Sequence, residues 1–141
     1  IGAGEQKELL QSLVEDLDLS SKVEFLGFQS NPYKFMRASD LFVMSSKWEG
    51  PGHVLIEALG TGCPVITTNC PIGPADSVQN GEFGELVEVG NSKALSEAIL
   101  YAFKNQSDML LKVKRSENYM KKFYTENVVN EYKKLLTNKY R

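Results

Sequence analysis

The sequence predicts an α/β fold, with a mainly parallel sheet and helices on both faces. Three observations carry that expectation. Short apolar runs at 23–27, 41–46, 64–68 and 84–89 alternate with longer amphipathic stretches. One run, Pro64-Val65-Ile66-Thr67-Thr68, is apolar and β-branched with no polar alternation, as suits a strand covered on both faces. Glycine and proline gather between runs and stretches, at 50–52, 60–64 and 71–74, where the chain has to turn.

Taken in order, residues 1–5 read as the end of a strand turning through Gly2 and Gly4 into a helix over 6–17. That helix puts Leu9, Leu10, Leu13, Val14 and Leu17 on one face. Residues 23–27 form a short strand, Asn31-Pro32 opens a helical segment reaching Ala38, and 41–46 form the next strand. A helix over 53–59 stops at Gly60 and Gly62. The strand at 64–68 leads into a rigid loop, Pro71-Ile72-Gly73-Pro74, then a brief helix over 75–79 and a last strand at 84–89. Three helical segments follow, at 92–104, 108–124 and 126–136, so that 91–141 form a helical tail.

At 141 residues the chain fits one domain able to bury about two-thirds of its unfolded surface. Hydrophobic residues make up 42% and charged residues 24%, ordinary values for a globular protein. No apolar run approaches the roughly 20 residues of a membrane span, and no basic-then-apolar leader is visible. Cys63 and Cys70 bracket a strand, too far apart to bridge, and suit two small buried residues in a reducing compartment. The expected location is therefore cytoplasmic. The net charge of -2 hides a split: residues 1–103 hold six Lys/Arg against fourteen Asp/Glu, and 104–141 hold ten against four. A basic helical tail of this kind is either a solvated face or a contact with another domain or with the inner face of a membrane. No exposed aromatics interleaved with its charges are expected there, and on that expectation nucleic acid is set aside.

The most informative segment runs from Glu49 through Gly50, Pro51, Gly52, His53, Val54, Leu55 and Ile56 to Glu57. Its glycines and proline force a loop between a strand and a helix. A helix start offers unpaired amides and the positive end of a dipole, a seat for phosphate. Two carboxylates flank that seat and can accept hydrogen bonds from hydroxyls. The combination reads as a nucleotide-sugar site. In an open parallel sheet ligands bind beyond the carboxyl ends of the strands, where Gly2 and Gly4, Gly27 and Phe28, the 49–52 loop and the 71–74 loop all fall. No Asp-x-Asp and no His or Cys cluster exists for a metal, and no cofactor is expected beyond the nucleotide-sugar substrate.

Ser45-Ser46-Lys47-Trp48-Glu49-Gly50, then Val54-x-x-Glu57-Ala58, then Gly62-Cys63-Pro64-Val65-Ile66 resemble the retaining glycosyltransferases of family 4. Val23 to Phe28 resemble that family's V-x-F-L-G segment, Ala38 to Val43 its A-x-D-x-F-V, and Gly81 to Val87 its d-G-x-x-G-x-l-v; 123–132 are similar to its tail. The resemblance implies a GT-B fold of two facing Rossmann-like domains. This chain would be part of the C-terminal, donor-binding domain, incomplete at its N-terminus. The acceptor-binding N-terminal domain would be absent, as would two strands standing between those at 23–27 and 41–46.

The resemblance also implies roles. Glu57 would accept hydrogen bonds from the ribose diol, two acceptor oxygens matching two donors. Glu49 would contact the transferred sugar or steady the charge growing at its anomeric carbon, without acting as an assigned nucleophile. Gly50, Pro51 and Gly52 would let the backbone approach the donor, and the amides of His53, Val54 and Leu55 would face the diphosphate. The backbone at Gly27 and Phe28 would hold the base, with Gly2 and Gly4 nearby. Asp76 stands where the family commonly has Glu and is free to cap the helix near 75–79. Trp48 and Tyr33 read as packing residues; Leu41, Val43, Val65 and Ile66 read as core. The Arg and Lys that neutralise the leaving diphosphate in such enzymes would lie upstream of Ile1, so this chain alone should transfer nothing.

The expected activity is metal-independent, retaining transfer of a hexosyl or N-acetylhexosaminyl group from a nucleotide diphosphate, UDP above all. The acceptor would be a glycan or lipid-linked molecule in polysaccharide biosynthesis. Two other classes remain open on the residues: a non-catalytic partner subunit of the same fold, and a glycoside hydrolase using Glu49 and Glu57, whose carboxyls would stand about 5–10 Å apart. A dinucleotide-binding dehydrogenase fails for want of a third spaced glycine after Gly2 and Gly4.

Overall fold

The computed structural model describes residues 1–138. The chain divides into two compact units, Ile1–Phe35 and a second that starts at Met36. In the first, helix α1 (Lys7–Asp16) forms where the leucine periodicity places it, and Asp18 ends it in the left-handed region at φ 54°. The segment over 23–27 is not a strand. A strand exists by pairing, and the backbone bond joining 1–4 to this segment is a single one, Gly2 N–H to Gly27 C=O at 2.8 Å. The apolar side chains Leu9, Leu10, Leu13 and Leu17 stay exposed on α1.

The next elements are helix α2 (Tyr33–Ala38), strand β1 (Phe42–Met44), helix α3 (His53–Gly60) and strand β2 (Val65–Thr68). Helix α4 (Pro74–Ser77), strand β3 (Glu85–Val87) and helices α5 (Ser92–Lys104), α6 (Gln106–Met120) and α7 (Thr125–Asn138) follow. Short 3-10 turns lie at Gln79–Gly81 and Lys121–Phe123. The three strands form one parallel sheet in the order β1-β2-β3, with Phe42 opposite Val65 and Ile66 opposite Glu85.

Alternation along the strands sorts the core into two layers. Phe42, Met44, Val65 and Leu86 join Leu55, Ala58 and Leu59 of α3 and Val113 and Met120 of α6. Leu41, Ile66 and Val87 join Leu95, Ala98, Ile99 and Ala102 of α5 and Met109 of α6. Every residue of β2 is buried, as its unbroken apolar run requires. Val43, expected in the core, is exposed because β1 is an edge strand. Trp48 and Tyr33 are exposed too, so neither packs as expected, and Phe123, Tyr124 and Tyr132 of the basic tail are exposed among its lysines, contrary to the expectation of none there. Helix α5 starts at Asn91, whose side-chain oxygen accepts the Ala94 N–H at 2.9 Å. No helix is long and apolar enough to cross a membrane among the described residues.

Candidate functional site

The carboxyl ends of β1 and β2 carry the loops that matter. After Met44 the chain leaves the sheet, and the carbonyl of Ser46 accepts a hydrogen bond from the buried hydroxyl of Thr68 at the end of β2. The Ser46 hydroxyl in turn donates to Glu49 Oε1 at 2.6 Å. Two short side chains thus tie the half-buried Glu49 carboxylate to the sheet. A charge-assisted bond of that length holds one rotamer while the second carboxylate oxygen keeps its acceptor capacity.

Gly52 then caps α3 in the left-handed region at φ 68°, with no side chain on the helix amides. Its carbonyl accepts the Leu55 N–H at 2.9 Å, so that amide is taken, contrary to the expectation that it faces a phosphate. The amides of His53 and Val54 have no partner among the described residues. Two donors and the positive end of the helix dipole therefore remain at this mouth. Gly50 and Gly52 also differ. A Cβ on Gly50 would meet open space, whereas one on Gly52 would lie 3.2 Å from Ser77 Oγ, inside the protein. Gly52 serves the turn and the packing; Gly50 leaves room beside the loop.

Four residues after His53, and so one helical turn along the same face, stands Glu57. Side chains on a helix lean toward its N-terminus, which points this carboxylate back toward the helix mouth. It is half-buried and makes no hydrogen bond or ion pair with a described residue. His53 is exposed at the mouth itself.

The loop before α4 closes against this segment from behind. A Cβ on Gly73, where φ is 96°, would come within 2.7 Å of the Pro51 carbonyl carbon, so only glycine allows the two backbones to touch. Ser77 Oγ–H donates to the Pro51 carbonyl at 3.1 Å, fastening the same contact. Gly73 sits at the N-cap of α4 with no side-chain cap. Asp76 therefore does not cap this helix; it lies one turn in, and its carbonyl accepts from Gln79 and Tyr119 at 2.7 and 3.0 Å.

Ser77, Ser46 and Thr68 escaped the sequence reading as site-forming residues, and Gly73 entered it only as part of the 71–74 loop. The Gly73-Pro74 pair carried a turn signal, but nothing local says which backbone the turn touches. Within the first unit Gly2, Gly4 and Gly27 line a cleft of about 400 Å³ with Gln6, Lys7 and Leu10, while Phe28 is 80% exposed. Among the described residues no group of three or more His, Cys, Asp or Glu is placed to hold a metal. Cys63 and Cys70 are free and buried, and burial together with the charge of Asp40 raises the Cys63 thiol pKa.

The strand ends of this parallel α/β sheet bring two open helix-mouth amides and two carboxylates together, at the edge where open α/β sheets hold their ligands. The chain belongs to the family described as glycosyl transferases group 1, whose pattern matches residues 1–123. It is 33% identical over 140 residues to the lipopolysaccharide core biosynthesis glycosyltransferase LpsE of Rhizobium meliloti, covering 99% of this chain and 41% of that protein. It is 38% identical over 99 residues to a Campylobacter jejuni enzyme, covering 70% of this chain and 27% of the enzyme. That enzyme is named as an N-acetylgalactosaminyltransferase acting on a diphospho-undecaprenol-linked sugar.

Among solved structures, Staphylococcus aureus TarM, crystallised with UDP, superposes with a TM-score of 0.82 at 27% identity, covering 94% of this chain and 27% of that one. Anabaena HepE in complex with UDP superposes at 0.84 and 22% identity, covering 97% and 39%, a likeness of fold. The fold is that of the GT-B glycosyltransferases, as the sequence led us to expect. The chain spans less than half the length of the curated relatives it matches.

Proposed function

We propose that the chain is the donor-binding part of a retaining, metal-independent glycosyltransferase that moves a sugar from UDP to a glycan or lipid-linked acceptor. The observation that carries this reading is the segment 46–57. There a carboxylate tied to the sheet, two open amides at a helix mouth and an unpaired carboxylate one turn along follow one another within a dozen residues. The amides of His53 and Val54 would take the diphosphate, Glu57 the ribose diol, and Glu49 the transferred sugar. Pro51 and Leu55 act as frame: the carbonyl of one is held by Ser77, and the amide of the other by Gly52.

Retention and independence from metal rest on the family resemblance and on the absence of an Asp-x-Asp in the sequence. UDP is favoured by the UDP found in TarM. A cytoplasmic location agrees with free, buried cysteines. The catalytic step belongs to the longer polypeptide that relatives of this length suggest.

Glu57→Gln and Glu49→Gln in the complete enzyme test the reading, with UDP binding measured by calorimetry and turnover with a UDP-sugar. A hydrogen bond to a charged group contributes about 1.5–3 kcal/mol, so E57Q should weaken UDP about 10- to 100-fold. E49Q should leave UDP affinity near the parent value and lower turnover by at least about tenfold. Binding of no nucleotide, or unchanged UDP affinity in E57Q, would overturn it.

A further inference from the structure

Strand β2 ends in a hydroxyl where packing alone has no need of one. Val65 and Ile66 fill the two core layers, and Thr68, 3% exposed, closes a strand that is buried along its whole length. A valine there has the same branched shape and the same fit to a strand, and it brings no hydroxyl to be paired away from water. Thr68 offsets the burial of its hydroxyl with one bond, in which Oγ1–H donates to the Ser46 carbonyl at 2.5 Å. That bond stands where the sheet stops. The backbone pairing of β1 with β2 runs from Phe42 and Val65 to Met44 and Thr67 and goes no further. Two residues past the last pair, Ser46 is held by a side chain and not by the ladder.

What Ser46 carries gives the bond its consequence. The same residue donates its hydroxyl to Glu49 Oε1 at 2.6 Å. Carbonyl and hydroxyl belong to one residue, so a backbone free to rock at Ser46 takes the hydroxyl with it. Among the described residues the Glu49 carboxylate has no other partner, and its placement therefore runs back through Ser46 to Thr68. The rest of the loop is fastened elsewhere. Pro51 is held by the Ser77 hydroxyl and by the close approach of Gly73, and these contacts set the His53 and Val54 amides. One loop thus has two separate anchors, one behind the carboxylate and one behind the helix mouth.

We infer that Thr68 is a positioning residue for sugar transfer. Its hydroxyl, already engaged and buried, fixes the Ser46 backbone and through the Ser46 hydroxyl aims the Glu49 carboxylate at the transferred sugar. The inference rests on the donor reading of Glu49 and adds to it a residue from the next strand. A reacting constellation has to be held to within about half an ångström, and a misplacement of 1 Å can cost about 100-fold in rate. A loop alone is a poor holder at that precision. Two hydrogen bonds in series from a fully buried strand lend the loop the stiffness of the sheet. Because the helix mouth has its own anchor, loss of the Thr68 hydroxyl loosens the carboxylate and leaves the amides where they are.

Turnover with a UDP-sugar and UDP affinity by calorimetry, measured on variants of the complete enzyme, test it. Thr68→Val should lower kcat about 3- to 10-fold, the span that one neutral hydrogen bond accounts for, with UDP affinity near the parent value. Thr68→Ser keeps the hydroxyl and should recover most of that loss. Thr67→Val is the structural control: it removes the neighbouring buried hydroxyl, which reaches only the Thr68 carbonyl at 3.3 Å, and should leave kcat near the parent value. On a Glu49→Gln background Thr68→Val should lower kcat no further, since the charge it aims is gone. Equal losses in Thr68→Val and Thr67→Val, no recovery with serine, a matching fall in UDP affinity, or a full further loss on the Glu49→Gln background would each overturn the inference. If circular dichroism shows Thr68→Val unfolded, Thr68→Ala against Thr68→Ser asks the same question, because the two differ by the hydroxyl alone; equal kcat would overturn it. Parental kcat in Glu49→Gln would overturn the donor reading and this inference with it. A loss in Glu49→Gln with parental kcat in Thr68→Val would sink this inference alone.

Discussion

Replacing Gly73 by alanine tests whether the contact between the 71–74 and 49–52 loops holds the helix mouth in shape. The new Cβ would lie within 2.7 Å of the Pro51 carbonyl carbon, with the Pro51 Cα 3.0 Å away. Both are backbone atoms, so no side chain can swing clear. Placing an L-residue at φ 96° adds strain of about 1–2 kcal/mol. Forcing a methyl group into a closed contact adds about 1–3 kcal/mol, for a total of about 2–5 kcal/mol. Gly90 supplies the control: its φ is 78°, and a Cβ there meets nothing within 4 Å, so Gly90→Ala carries the strain alone. Urea unfolding followed by circular dichroism should place the Gly73→Ala midpoint about 1–2 M below the parent, with Gly90→Ala between the two. Calorimetry should show weaker UDP binding in Gly73→Ala only, because displacement of Pro51 moves the His53 and Val54 amides. Equal destabilisation by the two variants, or parental UDP affinity in Gly73→Ala, would refute the reasoning.

Two further outcomes follow from single interactions. Lys112 links α6 to the last strand through Glu85 Oε1 at 2.8 Å and to the Gly81 carbonyl at 3.0 Å, its side chain 17% exposed. Lys112→Ala should cost about 1–2 kcal/mol by urea unfolding, allowing for partial solvent screening; a loss under about 0.5 kcal/mol would count against the link. Burial and Asp40 raise the Cys63 thiol above its ordinary value of 9.0, so the folded state favours the protonated thiol. The unfolded chain gives up that proton first as pH rises. The stability that Cys63 contributes is therefore present below the ordinary thiol value and is lost as pH climbs through the raised one. Unfolding midpoints across about pH 8–10 should fall less steeply in Cys63→Ala than in the parent, and identical slopes would contradict the assignment.

The sequence revealed those elements whose signal is local. The β-branched run at 64–68 could only be a covered strand, and β2 occupies Val65–Thr68 with every residue buried. The amphipathic stretch at 92–104 marked α5, which occupies those same residues. The strand expected at 23–27 failed for a nonlocal reason: β propensity needs a neighbour, and the segment shares one backbone bond with the chain start. The site shows the same division. Glu49, Gly52 and Glu57 could be picked out from a strand, a glycine turn and a helix in succession. Ser46, Thr68, Gly73 and Ser77 act through partners as far as 26 residues away, and no spacing rule announces such contacts.

Those distant partners explain how one short loop can offer fixed donors and an adjustable acceptor together. The amide donors belong to backbone that is pinned from behind, by Gly73 against Pro51 and by Ser77 on the Pro51 carbonyl. Their direction therefore does not need to reorganise when negative charge grows on a leaving group, the condition under which dipoles stabilise a transition state best. Glu49 is pinned at one carboxylate oxygen by Ser46, leaving the other to meet a hydroxyl or an electron-poor carbon. Glu57 has no partner to surrender, so a diol that binds it displaces only water. On the proposed reading, loss of the Ser46 hydroxyl should impair transfer more than UDP binding, since it would release the carboxylate assigned to the transferred sugar while leaving the amides in place. Ser46→Ala in the complete enzyme should lower kcat with UDP affinity near the parent value. A matching fall in affinity would show that Ser46 supports the whole loop and does not orient Glu49 in particular.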